Sequence, residues 1–265
     1  STAIASPALA RNDAWYVGVD GGVMLVEDID LDVTTAGVTT DNFATIDHKK
    51  GFDFGGVIGY DFGAFRMEAE ASYREAGHDY ITAGAPGVGT NLTGLPRAVS
   101  TDAGGETTAL SFMVNGLLDF GDDDGLQGSV GAGAGISRVM LHDVVATSWL
   151  HDSDTGFAWQ ALAEVRAPLS DNWDVGLKYR FFNAPNVDLV DAYGRDIETK
   201  MRSHSLMGSL RYNFGGAPVA VPPPAPLPEP TPVPPPPAPE PAPVVTCQPG
   251  PYIVYFDWDQ SNITP

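Results

Sequence analysis

From Trp15 onward apolar side chains recur at every second position, the period of a strand rather than of a helix. The segment AWYVGVDGGVMLV sets Trp15, Val17, Val19, Val23 and Leu25 against Tyr16, Gly18, Asp20 and Gly22. GFDFGGVIGYDF repeats the arrangement, with Phe52, Phe54, Ile58, Tyr60 and Phe62 alternating against Asp53, Gly55, Val57, Gly59 and Asp61. One face of each is greasy; the other is small or charged. The alternation continues through about 64–75, 108–120, 126–138, 156–167, 172–182 and 202–214, which predicts eight strands of roughly eleven residues or more.

The connections between these strands alternate in length. Long polar segments fall at about 27–50, 76–106, 139–154 and 184–200, and tight turns at Phe62-Gly63, GDDDG 121–125 and PLSDN 168–172. A soluble sandwich has no reason to sort long and short connections onto opposite ends, whereas a bacterial outer-membrane barrel has short turns on one side and long loops on the other. Strands of this length suit a tilted crossing of the hydrocarbon, where an open sheet edge is not tolerated. The expected fold is therefore all-β: a closed eight-stranded antiparallel transmembrane β-barrel over residues 11–216. A soluble ligand-holding barrel would turn its apolar residues inward, and here the second face is too charged for that.

The charged face has its own pattern. In AFRMEAEASYREA, Arg66, Glu68, Glu70, Ser72 and Arg74 follow one another at period two and cannot face lipid. Asp20 and Asp53 join them from the first two strands, Gln160, Glu164 and Arg166 from the sixth, Asp174, Lys178 and Arg180 from the seventh, and Ser209, Arg211 and Asn213 from the eighth. If the turns set the register, Arg166 lies opposite Asp174, Gln160 opposite Arg180, Gly59 opposite Arg66 and Gly55 opposite Glu70. GAGAG 131–135 beside VNG 114–116 gives the same pairing of small with large. An eight-stranded barrel is just wide enough for its side chains to fill, so the expected interior is a paired charge network that plugs the lumen.

On the outward face, Trp15, Phe62, Phe65, Phe120, Trp173, Tyr212 and Phe214 cluster near the turn-side strand ends, as an interfacial aromatic girdle would. The surroundings expected for this face are outer-membrane lipid and lipopolysaccharide.

Composition narrows the alternatives. Acidic residues outnumber basic ones 34 to 14, a formal charge of −20, which speaks against nucleic acid as a partner. The single cysteine, Cys247, has no internal partner. GAGAGIS lacks the third glycine of a dinucleotide fingerprint, Ile136 standing in the run. Asp28, Asp30 and Asp32 are spaced evenly but lack the glycine and distal glutamate of a calcium loop. His204 lies between Ser203 and Ser205, which point to the opposite face, and His142 and His151 fall among acids with no evident nucleophile beyond Ser148 and Ser153. No catalytic set, metal site or cofactor is expected. No run of about twenty apolar residues exists to form a spanning helix, and Ala8-Leu9-Ala10 has the small-x-small form of a signal cleavage site, so residues 1–10 are read as a signal-peptide remnant.

After Phe214 comes GGAPVAVPPPAPLPEPTPVPPPPAPEPAPVV, whose proline density favours polyproline II, a semi-rigid spacer. Residues 217–245 are thus a linker on the short-turn side. Beyond it, VYFDWDQSNITP holds the start of a strand and a helix cap. Barrel, strut and the match of FDWDQSNITP to F-D-x-D-x-S-x-x-T-P together resemble the outer membrane protein A (OmpA) family across essentially the whole chain. The resemblance implies a bacterial outer-membrane location with long loops extracellular and the linker periplasmic. It implies that residues 246–265 open a peptidoglycan-binding domain whose binding aspartate and arginine would lie beyond Pro265, and that Tyr212 and Phe214 form the terminal signal read by the barrel assembly machinery. The expected function is structural, an anchor of the outer membrane to peptidoglycan. A narrow small-solute pore, or an adhesin acting through loop 76–106, is the alternative.

Overall fold

The computed structural model describes residues 13–83, 100–121, 125–145, 147–214, 244–246, 249–251 and 258–259. Residues 1–10, most of the 217–245 linker, Cys247 and the segment 252–257 lie outside the described residues, as do 84–99 of the loop expected over 76–106 and 122–124 of the GDDDG turn. The chain divides into two units, Ser1–Val219 and Ala220–Pro265. Among the described residues every regular element is a strand of the first: β1 (Ala14–Val26), β2 (Ile29–Thr35), β3 (Val38–His48), β4 (Gly51–Asp61), β5 (Phe65–Ala83), β6 (Ser100–Asp102), β7 (Gly104–Phe120), β8 (Gln127–Val145), β9 (Thr147–Pro168), β10 (Trp173–Val190) and β11 (Asp196–Asn213).

Eight of these close a ring of antiparallel neighbours in the order β1, β4, β5, β7, β8, β9, β10, β11 and back to β1. Closure pairs the two ends of the barrel sequence, Tyr16 with Asn213 through Val26 with Ser203. Every ladder group in the ring wall thus has a neighbour on both sides, and no edge is left open.

Three of the expected long loops are largely strand. Residues 27–50 form the β2–β3 hairpin, which pairs with β11 on one side and β5 on the other, so that β2 stands over β1 and β3 over β4. Residues 139–145 and 147–154 are the paired ends of β8 and β9, and 184–200 those of β10 and β11 around a turn at 191–195. These polar segments conceal a second inward face. Met24, Val26, Ile29, Leu31, Ile46, Leu141, Trp149, Phe182, Leu189, Ile197 and Met201 pack with others into one apolar cluster at the long-hairpin end of the lumen. Burying that surface stabilises the extended wall, and at 22 residues β9 is about twice what a crossing needs.

Two registers also differ from expectation, each by two residues. Phe62 N–H donates to the Phe65 carbonyl across the two-residue loop Gly63-Ala64, with Gly63 at a φ of 97° that favours glycine. Asp61 therefore faces Arg66, Gly59 faces Glu68 and Gly55 faces Ser72. The β9–β10 turn spans 169–172, where both Leu169 and Ser170 donate to the Trp173 carbonyl, which sets Arg166 opposite Gly176, Glu164 opposite Lys178, Gln160 opposite Phe182 and Asp174 opposite Pro168. Shifts of two preserve the face of every residue while exchanging its partners. The β7–β8 ladder places Asn115 opposite Gly133, small beside large.

Candidate functional site

Below the apolar cluster the lumen is filled with charge. Asp20 of β1, Asp53 of β4, Arg66, Glu68, Glu70 and Arg74 of β5, Glu164 and Arg166 of β9, Asp174, Lys178 and Arg180 of β10, and Arg211 of β11 are all buried. Period-two alternation aims each of them inward, and ring closure brings these six strand faces to one axis.

The groups form a ladder of ion pairs. At its upper end Arg74 Nε lies 3.3 Å from Asp53 Oδ2, Arg180 Nη1 is 2.9 Å from Asp53 Oδ1, and Arg180 Nη2 is 2.7 Å from Glu70 Oε1. In the middle Asp20 is held by both Lys178 Nζ (2.9 Å) and Arg211 Nη1 (2.6 Å). Arg211 continues to Glu164 Oε1 at 3.4 Å, and Arg66 Nη2 reaches Glu164 Oε2 at 3.6 Å. At the short-turn end Arg66 Nε contacts Asp119 Oδ2 at 2.7 Å, and Arg166 Nη2 is shared by Asp119 (3.2 Å) and Asp61 (3.4 Å). Asp174 accepts from Asn213 Nδ2 at 2.8 Å. Shared carboxylates, and guanidiniums such as those of Arg180 and Arg211 that each bridge two carboxylates, offset the desolvation that an isolated buried charge would suffer.

Neutral groups complete the ladder. Asn115 Nδ2 and Gln160 Nε2 both donate to Glu70 Oε2, Ser209 Oγ donates to Glu164 Oε1, and Tyr16 Oη donates to Glu68 Oε1 at 2.9 Å. Gly59 is where Tyr16 passes: a Cβ there would stand 2.4 Å from Tyr16 Cζ and 2.8 Å from the Met67 carbonyl oxygen. The glycine makes room for a phenol rather than for Arg66. Tyr16, Asp61 and Asp119 belong to the ladder although sequence reasoning did not single them out; Asp119 lay at period two from Asn115, a signal that the adjacent turn obscured.

The two layers meet at Phe182. The Arg74 guanidinium carbon lies 3.9 Å from the centroid of its ring, while the ring itself belongs to the apolar cluster. Above it, Thr107 Oγ1 is shared by His48 Nε2 and His78 Nε2, each at 2.9 Å. Burial, and secondarily His78, push the His48 imidazole down to about 3.

On the outer wall Trp15, Phe62, Phe65, Phe120, Trp173 and Phe214 are exposed at the short-turn end. They stand in runs with their neighbours: Trp15 with Tyr60 (5.3 Å), Trp173 with Tyr212 (5.0 Å) and Tyr212 with Phe214 (5.1 Å) meet edge-on, and Tyr60 meets Phe62 (4.7 Å) at a tilt. Phe214 N–H donates to the Trp15 carbonyl at 2.8 Å, tying the last barrel residue to the first strand. At the opposite boundary His204 is held between Tyr179 Oη (2.7 Å) and Glu27 Oε1 (3.0 Å). Among the described residues no three histidine, cysteine or carboxylate side chains converge to hold a metal.

A family model described as the outer membrane protein beta-barrel domain matches residues 1–216. The outer membrane protein PagN of Salmonella typhimurium is 26% identical over 192 residues, covering 63% of this chain and 75% of PagN. An outer membrane protein of Gluconacetobacter diazotrophicus is 28% identical over 288 residues, covering 94% of this chain and 66% of that protein. Among solved structures, the outer membrane protein OprG from Pseudomonas aeruginosa aligns with a TM-score of 0.50 at 11% identity, covering 77% of this chain and 98% of OprG, a likeness of fold.

Proposed function

Since the chain belongs to the outer membrane protein beta-barrel family, we propose that it is a structural anchor: a barrel closed to solutes that holds the outer membrane, joined through its proline tract to a periplasmic peptidoglycan-binding region of the OmpA kind. The observation that carries this reading is the filled lumen, where an ion-pair ladder from Arg166 to Arg74 is topped by an apolar cluster around Trp149 and Phe182. A transport route has to displace both. The long hairpins would face outward from the cell, the outer wall would contact lipid and lipopolysaccharide, and Tyr212 with Phe214 would serve as the signal for the barrel assembly machinery.

Single-channel recording of the purified barrel in a planar bilayer tests the closed lumen, with no steady current expected; sustained conductance of porin size would replace the anchor by transport. The anchoring half is read by sedimentation with purified peptidoglycan. A chain continued past Pro265 should be retained and residues 1–216 should not. Equal retention of both would remove the assignment of cell-wall binding to the region after the linker.

A further inference from the structure

Three of the five histidines already have hydrogen-bond partners: His48 and His78 share Thr107, and His204 lies between Tyr179 and Glu27. The other two have each other. His142 of β8 and His151 of β9 are directly opposed in the ladder, on the outer face near the far end of that hairpin. Their ring centroids are 4.6 Å apart with planes at 65°. Among the described residues neither ring makes a hydrogen bond or an ion pair. On the other side of His142 stands Glu106 of β7, its cross-strand partner. The row Glu106, His142, His151 thus runs across three strands, with Glu106 and His151 exposed and His142 half-buried.

Directly opposed residues hold their Cβ atoms about 5 Å apart on a rigid ladder. Two imidazoles mounted this way converge on one cation by small rotations of their rings, since metal–nitrogen bonds of about 2.0–2.1 Å require the two nitrogens only about 3 Å apart. Unbound partners and solvent access mean that nothing else must be broken first. Paired imidazoles favour late first-row divalent ions, copper most strongly, over magnesium or calcium.

We propose that His142 and His151 form a two-point clip for a late first-row divalent cation such as Cu2+, Ni2+ or Zn2+, with the Glu106 carboxylate drawn in as a weaker ligand and water at the remaining positions. The bound ion would tie β8 to β9 beyond the membrane part of the wall.

Isothermal titration of the refolded full chain, carrying Cys247→Ser so that no thiol competes, with CuCl2 and separately with ZnCl2 provides the test. One saturable site is expected, Cu2+ tighter than Zn2+. His142→Gln and His151→Gln should each weaken it by roughly tenfold or more, Glu106→Gln by less, and His204→Gln not at all. Heat-modified gel mobility confirms that each variant is folded. Absence of saturable binding, or binding unchanged in the doubly substituted His142→Gln/His151→Gln chain, would overturn the clip; loss in His204→Gln alone would move the site to the other boundary and also overturn it.

Discussion

Lys178 and Asp20 meet at 2.9 Å inside the lumen although 158 residues separate them in sequence. Neither side chain touches solvent. Lys178 enters from β10 and Asp20 from β1, with β11 between them, and Arg211 of β11 grips the same carboxylate from its other oxygen. Two cations on one carboxylate leave the excess charge to be balanced by Glu68 and Glu164, so the ladder behaves as a unit.

Lys178→Met preserves most of the volume and removes the charge. Asp20 keeps Arg211, while Glu68 loses one of its cations. The expected cost is about 3–5 kcal/mol, read as a lower urea midpoint in lipid vesicles. Adding Asp20→Asn should cost less than the sum of the two single changes, because the partners are coupled.

Gly59→Ala places a methyl where Tyr16 passes. The backbone Met67 carbonyl prevents the methyl from moving away, so Tyr16 must leave Glu68. A destabilisation of about 1–3 kcal/mol is expected. Combining Gly59→Ala with Tyr16→Phe tests the cause: the smaller ring tip should return part of the loss.

Phe182→Ala removes the ring that separates the two layers. It opens an apolar cavity and exposes the stacked face of Arg74, for an expected loss of about 3–5 kcal/mol. Phe182→Leu keeps the cavity smaller and should cost clearly less. Thermal unfolding followed by gel mobility distinguishes them.

His48 gives the pH dependence a definite sign. In the folded chain its imidazole is held at about 3, against an ordinary value of 6.5. Between those values the unfolded chain takes up a proton that the folded chain refuses, so stability present above pH 6.5 declines as the pH falls toward 3. Thr107 and His78 face this ring, and Asp143 lies beyond at 3.8 Å from His78 Nδ1. Unfolding midpoints measured across this range should fall less steeply in His48→Gln than in the parent chain.

Face assignment was legible because period two is a local property: Arg66 through Arg74 turn inward whatever the partner strand. Register was not, since it depends on which residue of a turn adopts positive φ. Gly63, rather than Phe62, leads the β4–β5 loop, and that one choice moved Arg66 from Gly59 to Asp61. The strands of 27–50 were missed for another reason. In β2 the alternate positions are acidic or hydroxylated, and the apolar face of Ile29, Leu31 and Val33 is only three residues long; the cluster it joins, with Phe182, Trp149 and Ile197, is brought together only by the fold.

The doubled seam bears on how the barrel forms. Tyr16 to Asn213 and Val26 to Ser203 join positions almost the whole barrel apart in sequence, and β2 repeats the closure with β11 at Thr34 and Asp196. Contacts of such long range are entropically the last to be made, whereas the β8–β9 and β10–β11 hairpins can zip early from their own turns. Assembly should therefore pass through an open, curled sheet whose exposed rims are β1 and β11. The slow step is their meeting, and once both levels of the seam have engaged, release demands that they part together, which gives the closed form a lifetime longer than its equilibrium stability alone would require.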